Sequence, residues 1–268
     1  MRSDFIIKTY YAFLFLSVMK KEKVRILITN DDGIHSEGIA ELENALKEIG
    51  DVYVVAPASE MSGASHSLTL ARPLRIRQID ERHWTVDGTP TDCVLLALNQ
   101  ILAPEQMPHI CASGINHGPN LGDDASYSGT VAGALEATIL GVPGLAFSLA
   151  VSRSHDFTEA AKIAKDLTKK ALDEGIPQGT LLNVNVPKGT PNGIMVTKQG
   201  YKMARPIVSE HIDPRGKLYY WIGENREGFH AKGDTDFEAI DKGFVSVTPM
   251  RADLTSYTAL EEIKNWGK

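Results

Sequence analysis

Cysteine is scarce in this chain, which excludes two ways of building a protein. Of the 268 residues only two are cysteine, Cys93 and Cys111. Each lies inside an apolar run, which is typical of a buried free thiol. A disulfide framework or a cysteine-based zinc site needs more cysteines at closer spacing. We therefore expect two buried thiols and a cytoplasmic location.

The chain also has no excess of positive charge. It carries 28 Lys and Arg against 34 Asp and Glu, which gives a formal net charge of -6. A general nucleic-acid or anionic-membrane surface is basic, so we expect neither partner, although a local basic patch stays open. The hydrophobic content of 43% is ordinary for a soluble protein, and 268 residues can bury one large core.

The N-terminal segment contains an apolar run, but not one long enough to cross a membrane. Tyr10–Met19 is apolar but too short to span a bilayer, and no small-x-small cleavage site follows it. We expect residues 1–23 to form an extension outside the fold, with residues 1–18 preceding the natural start at Met19. An uncleaved anchor is the open alternative.

Strand-like and helix-like segments alternate through the first half, which is typical of a doubly wound parallel sheet. The predicted strands are Val24–Thr29, Asp51–Ala56, Leu74–Ile79, His83–Val86, Pro108–Ser113 and Gly144–Ser148. The predicted helices are Glu37–Ile49, Thr91–Asn99, Gly129–Leu140 and Phe157–Glu174.

The second half is richer in strands and contains one turn signal between aromatic and apolar residues. Asp213-Pro214-Arg215-Gly216-Lys217 predicts a protruding hairpin over Lys202–Trp221. A helix is predicted over Ser256–Trp266. We therefore predict an α/β catalytic core over 24–200 and a β-rich extension over 201–268, and the strands predicted in this half are Leu181–Val186, Gly193–Lys198 and one within Phe237–Pro249.

Two adjacent carboxylates follow the first predicted strand. Asp31 and Asp32 stand between Asn30 and Gly33. Ligands of open α/β sheets bind beyond the carboxyl ends of the strands, and a hard divalent cation relieves the repulsion of paired carboxylates. A solvated turn or a helix N-cap is the alternative.

Two more segments at predicted strand ends could complete a metal shell. Ser62 lies in a loop of Ser, Gly and Ala that follows the second strand; such loops bind phosphate or metal, or are plain connectors. Asn116 and Asn120 lie four residues apart in a predicted glycine-containing loop. An Asn carbonyl is an oxygen ligand for Mg²⁺, and a left-handed turn is the alternative interpretation.

A third segment predicts an anion site. Ser128-Gly129-Thr130 immediately precedes a helix of small residues, so it offers hydroxyls, backbone amides and the positive end of the helix dipole. An ordinary N-cap is the alternative. Together with the acidic pair, this segment predicts a metal-assisted phosphate-ester hydrolase, in which a metal-activated water attacks phosphorus.

These segments, in this order, closely resemble the SurE family of stationary-phase survival nucleotidases. The matching stretches are ILITNDDGIHSEGI (26–39), APASEMSGASHSLTL (56–70), DGTPTDCV (87–94), SGINHGPNLGDDASYSGTVAGALEA (113–137) and GDTDFEAIDKGFVSVTP (233–249). The resemblance implies a phosphatase that acts on nucleoside 5′- and 3′-monophosphates with one Mg²⁺ or Mn²⁺ per subunit. Some members also hydrolyse polyphosphate.

The resemblance further implies site residues and architecture. The implied metal ligands are Asp31, Asp32, Ser62 and Asn116, and the implied phosphate-binding residues are Asn120, Ser128, Gly129 and Thr130. It implies a Rossmann-like, three-layer α/β/α core, and a hairpin exchanged between subunits of a homodimer or homotetramer. This chain departs from the family pattern in its N-terminal extension and at Gly133, where alanine is expected.

Three other functions compete with this interpretation. A phosphatase with Asp31 as covalent nucleophile fits poorly, because haloacid-dehalogenase-like enzymes place their two aspartates two residues apart. A receiver-type signalling domain fits poorly as well, since no aspartate ends the later strands. A metal-dependent nucleotide-binding regulator without turnover stays open. So do the base, sugar and position preferences, the physiological metal and the general base, for which Asp32 is our hypothesis.

Overall fold

A computed structural model describes residues 23–151, 156–201, 207–223 and 233–267. Its strands are β1 Arg25–Thr29, β2 Asp51–Pro57, β3 Ile76–Gln78, β4 His83–Val86, β5 Ile110–His117, β6 Gly144–Leu149, β7 Thr180–Val186, β8 Ile194–Val196, β9 Ile207–Ile212, β10 Leu218–Gly223 and β11 Val245–Arg251. Its α-helices are α1 Glu37–Leu46, α2 Pro90–Leu96, α3 Gly129–Ile139, α4 Thr158–Glu174, α5 Asp236–Asp241 and α6 Tyr257–Ile263.

Nine of these strands form one sheet in the order β3-β4-β2-β1-β5-β6-β7-β11-β8. From β4 to β7 neighbouring strands are parallel. Antiparallel pairs appear at β3–β4 and β11–β7. The chain runs outward from β1 to β2 on one side and from β5 to β6 on the other. Strand order therefore reverses between β1 and β5, where ligands of such sheets bind.

Helices cover both faces of the sheet and bury its apolar strands. On one face α1 and α4 enclose a core that includes Ile26, Leu42 and Phe147. On the other face α2 and α3 enclose a second core that includes Leu27 and Cys111. β1 is buried on both faces, which explains why its sequence is a continuous apolar run rather than an alternating one. The predicted three-layer α/β/α fold is confirmed.

The structure corrects three details of the predicted elements. β5 runs on to His117, so Asn116 lies at a strand end and not in a loop; a register shift after Ser113 lets the strand resume pairing with β6. The helix predicted over Thr91–Asn99 is α-helical only to Leu96 and continues as a π turn. β11 lies in the main sheet between β7 and β8, although it belongs to the predicted extension 201–268.

The predicted hairpin is present as β9 and β10, which pair only with each other among the described residues. Its first residues, 202–206, lie outside the described part of the chain. Both strands are exposed along their whole length, apart from a half-buried Ser209. Both cysteines are buried free thiols, as predicted. None of the helices in the described ranges is long and apolar enough to cross a membrane.

Candidate metal and phosphate site

The candidate residues meet at the point where strand order reverses. Asp31 and Asp32 follow β1 after Asn30, and Asn116 lies near the end of its parallel neighbour β5. Ser128, Gly129 and Thr130 form the beginning of α3, which packs on β5 and β6. Parallel strands that end at one edge of the sheet therefore bring these segments to a common region.

Local hydrogen bonds fix the shape of the acidic turn. The Asn30 side chain is fully buried, and its Nδ2 donates to the Gly33 carbonyl at 2.9 Å and to Ser36 Oγ at 2.8 Å. Gly33 has a φ of +93°, a conformation that favours glycine. Asn30 thus closes the turn that presents the two carboxylates.

Asp31 is buried beneath the first turn of α3. Its side chain is only 4% exposed, and its Oδ1 accepts a hydrogen bond from the Thr130 hydroxyl. A Cβ added to Gly129 would lie 2.8 Å from the Asp31 Cβ, so only glycine lets the helix approach this closely. Burial raises the pKa of Asp31 to about 6; the Thr130 hydrogen bond opposes this rise, and the charge of Asp32 adds to it.

Asp32 is more accessible than Asp31. Its Oδ2 accepts the backbone N–H of His117 at 3.4 Å. Burial raises the pKa of Asp32, whereas His117 lowers it and the Glu60 carboxylate raises it. An open pocket of about 280 Å³ lies beside Asp32, and Glu60, His117 and Phe157 are part of its lining. Asp32 therefore faces an open pocket.

The loop that carries Ser62 is tied to both halves of the site. The Met61 N–H donates to the Asp31 carbonyl at 2.8 Å. Further along, Ser65 donates from its N–H to the Tyr127 carbonyl at 3.1 Å. The exposed Ser62 hydroxyl itself donates to Glu60 Oε1 at 2.7 Å. Ser62 is thus brought next to the acidic turn, with its hydroxyl directed to a third carboxylate.

The two predicted asparagines lie in different environments. Asn116 is half-buried beside His117, and its Nδ2 donates to the Gly118 carbonyl at 2.9 Å. Asn120 is buried, and its Nδ2 donates to Ser148 Oγ at 2.8 Å. Asn116 directly precedes His117, whose N–H contacts Asp32. The side chain of Asn120 is instead anchored to Ser148 on strand β6.

Ser128 and Thr130 already have partners within the protein. Ser128 is the N-cap of α3, and its Oγ accepts the N–H of Val131 at 3.1 Å. The alternative interpretation of this segment as an ordinary N-cap is thereby confirmed. A capping hydroxyl still has its own proton to donate. The Thr130 hydroxyl donates to Asp31 instead of facing solvent. The phosphate role of these residues stays a prediction, and the structure adds a link from α3 to the acidic turn.

The side chains present fit a hard divalent cation. Neither Asp31 nor Asp32 has a Lys or Arg partner in the described part of the chain, and Glu60 adds a third negative charge near Asp32. Within the same ranges no three His, Cys, Asp or Glu side chains gather closely enough to hold a metal by themselves, so hydroxyl and amide oxygens would have to complete the ligand set. Two carboxylates supplemented by hydroxyl and amide oxygens are the ligand types that Mg²⁺ and Mn²⁺ prefer.

Comparison with known proteins identifies the family. The family described as "Survival protein SurE" matches residues 26–206. The chain belongs to the SurE family. It is 49% identical over 242 residues to the 5'-nucleotidase SurE of Aquifex aeolicus (strain VF5), which covers 89% of this chain and 96% of that relative. It is 46% identical over 247 residues to the 5'-nucleotidase SurE of Pelobacter propionicus, with 91% and 99% covered.

A solved structure of this family has the same fold. The crystal structure of the SurE protein from Aquifex aeolicus superposes with a TM-score of 0.81 at 48% sequence identity. The superposition covers 91% of this chain and 100% of that one. Both the α/β core and the family assigned from sequence motifs are thereby confirmed.

Sequence reasoning missed residues that support the candidate site. Asn30 was interpreted only as part of the acidic motif, although it closes the turn. Asn183 and Asn185, both buried on β7, hydrogen-bond to Asn120. The available signal was their spacing: asparagines at alternate positions of an otherwise apolar strand face the same side, where polar side chains need partners.

Proposed function

We propose that this SurE-family chain is a divalent-metal-dependent phosphomonoesterase that hydrolyses nucleoside 5′- and 3′-monophosphates, and short polyphosphate. The relatives named 5'-nucleotidase support this activity, since they match about nine-tenths of the chain. The observation that carries the proposal is the hydrogen bond from Thr130 to Asp31, because it joins the acidic turn to the helix N-terminus that would receive phosphate.

The proposed metal ligands are Asp31, Asp32, Ser62 and Asn116, which would hold one Mg²⁺ or Mn²⁺ per subunit. A bound cation supplies charge stabilisation at phosphoryl oxygens and lowers the pKa of water. Ser62 would exchange its bond to Glu60 for the cation. The burial of Asp31 excludes water from one side of the site, which strengthens its electrostatic interaction with a cation.

The proposed phosphate-binding residues are Asn120, Ser128, Gly129 and Thr130. The Gly129 N–H at the start of α3 would donate to a phosphoryl oxygen, with Ser128 adding its hydroxyl proton. The N–H groups of Thr130 and Val131 already bond to Asp31 and to Ser128 Oγ. Asp32 would accept the proton of the attacking water at Oδ1, because its Oδ2 accepts the His117 N–H. Thr130 would act mainly through Asp31, which its hydroxyl holds in place.

We also propose that the protein is cytoplasmic and assembles as a homodimer or homotetramer by exchanging its hairpin. The hairpin exposes Trp221 and Ile222 at 65% and 79% of their surface. Apolar side chains grouped on an exposed element are typical of an interaction surface. A Trp221→Glu variant should lower the molar mass measured by light scattering, and an unchanged mass would contradict the exchange.

The activity is tested by phosphate release from a panel of nucleoside 5′- and 3′-monophosphates with Mg²⁺ or Mn²⁺. Asp32→Asn should reduce release at least about 100-fold, as loss of a metal ligand and base implies. Asp241→Asn, an exposed carboxylate at the end of α5, is the matched control and should retain full activity. Nucleotide binding without release would favour the regulator instead, for which no observation speaks at present.

A further inference from the structure

Four hydrogen bonds hold Asn120 against strands β6 and β7. Asn185 Oδ1 accepts the Asn120 N–H at 2.8 Å, and Asn185 Nδ2 donates to the Asn120 carbonyl at 3.1 Å. Asn183 Nδ2 donates to the same carbonyl at 2.8 Å. Asn120 Nδ2 donates to Ser148 Oγ at 2.8 Å. Backbone and side chain of Asn120 are therefore both fixed by side chains of neighbouring strands.

The three partner side chains are buried, and burial of polar groups is costly. Asn183 is 1% exposed, and Asn185 and Ser148 are 0% exposed. Apolar side chains at these positions of the sheet would avoid the desolvation of two amides and a hydroxyl. The bonds do not belong to the strand ladders, because Asn120 lies in no strand or helix. Their common feature is that all of them converge on Asn120.

The geometry of the Asn185 contact is specific. The Asn185 carboxamide bonds to both the N–H and the carbonyl of Asn120, and it thereby fixes the main chain of Asn120 in one orientation. Ser148 accepts one of the two Nδ2 protons of Asn120, which leaves the second available to another acceptor. A side chain held at both ends in this way needs no reorganisation when an anion arrives, which is the condition for preorganised charge stabilisation.

We propose that Asn185 is a positioning residue for phosphate binding, and that Ser148 and Asn183 complete its hold on Asn120. The inference rests on the proposed function, in which Asn120 contacts the phosphoryl group. Asn185 acts through Asn120 and touches neither metal nor substrate. Small displacements of a positioned group are costly, since about 1 Å can reduce a rate about 100-fold.

The test compares variants of the full-length protein. Asn185→Leu should lower kcat/KM for a nucleoside monophosphate about 10- to 100-fold. Ser148→Ala removes one hydroxyl and should lower it about 3- to 10-fold, with its folded state intact even if Asn185→Leu fails to fold. The matched control is Ser246→Ala, an equally buried serine on β11 whose hydroxyl contacts Thr197. This control should stay within about twofold of wild type, because it removes a buried hydroxyl that has no contact with Asn120.

Two further readouts separate positioning from a structural role. Mn²⁺ affinity, measured by calorimetry, should be unchanged in Ser148→Ala, because that hydroxyl has no contact with the acidic turn. In an Asn120→Ala background, Ser148→Ala should lose its effect on kcat/KM, because coupled residues are not additive. Equal effects in both backgrounds, or equal loss in Ser246→Ala, would overturn the inference. A wild-type protein without phosphate release would overturn the proposed function and the inference together.

Discussion

Asp31→Asn replaces a buried carboxylate with an amide of nearly the same shape. The amide Oδ1 can still accept the Thr130 hydroxyl, so the main hydrogen bond at this position is kept. What disappears is the negative charge, which is unfavourable in a side chain that is 4% exposed and adjacent to Asp32. We therefore expect the variant to lose metal-dependent activity while the metal-free fold becomes more stable.

The size of the gain follows from the shifted pKa. The pKa of Asp31 is raised by burial from 3.8 to about 6. At about 1.4 kcal/mol per pKa unit, ionising Asp31 in the metal-free fold costs about 3 kcal/mol. Burying the new amide N–H₂ costs about 1 kcal/mol in return. The net gain of about 2 kcal/mol corresponds to a rise in Tm of about 4–8 °C for a chain of this size.

The stability that the metal-free protein gains from Asp31→Asn also depends on pH, and in a defined direction. The folded pKa of about 6 lies above the ordinary value of 3.8, so the folded state holds the proton more tightly. The free-energy cost of ionising Asp31 in the folded protein is therefore fully present above its folded pKa, and it disappears as pH falls toward about 4. The difference in Tm between Asp31→Asn and wild type should be largest above about pH 7 and shrink as the pH is lowered.

The assay is thermal unfolding in EDTA at matched protein concentration, followed by the same melts with Mn²⁺. Wild type should gain about 3 kcal/mol at a metal concentration of 100 Kd, and Asp31→Asn should gain almost nothing. A variant that melts below wild type in EDTA at pH 7.5 would refute the cost assigned to Asp31. An equal Mn²⁺ shift in both proteins would refute its role as a ligand.

Three other substitutions test the structure around the site. Thr130→Val should reduce the free energy of unfolding by about 1–3 kcal/mol, because it removes the hydrogen bond to the Asp31 carboxylate. Thr130→Ser keeps a hydroxyl and should restore the stability. Unchanged stability in the valine variant would contradict this contact. Ser62→Ala should weaken Mn²⁺ binding without changing Tm in EDTA, because among the described residues its exposed hydroxyl bonds only to Glu60; unchanged affinity removes it from the ligand set. Gly38→Ala should destabilise by about 1–3 kcal/mol or more, since its Cβ would lie 2.0 Å from the Ile115 carbonyl oxygen; a wild-type Tm would show that α1 can shift.

The parallel core was predictable because it rests on local patterns. β1 and β2 are continuous apolar runs, and α1 and α4 repeat apolar residues at helical spacing. The hairpin turn around Asp213–Lys217 was equally local. Residues at the carboxyl ends of such strands share one edge of the sheet, which is why the acidic pair and Asn116 could be grouped from the sequence alone.

The remaining features depend on contacts between distant parts of the chain. Asp31 and Thr130 are 99 residues apart, and Asn120 and Asn185 are 65 apart. No local propensity specifies such pairs, because they form only when the sheet and helices have packed. The insertion of β11 between β7 and β8 likewise depends on contacts between distant parts of the chain. Ser128 shows a different limit: one side chain satisfies both a capping pattern and an anion-binding pattern.

The central claim, that the acidic turn binds a metal used to hydrolyse nucleotides, is tested most directly by removing and restoring the metal. Phosphate release from a nucleoside 5′-monophosphate is measured with Mn²⁺, after EDTA, and after Mn²⁺ is added back, for wild type and Asp31→Asn. We expect wild-type release to stop with EDTA and to return with Mn²⁺, and the variant to stay inactive throughout. Release that persists in EDTA, or that Asp31→Asn retains, would contradict the claim.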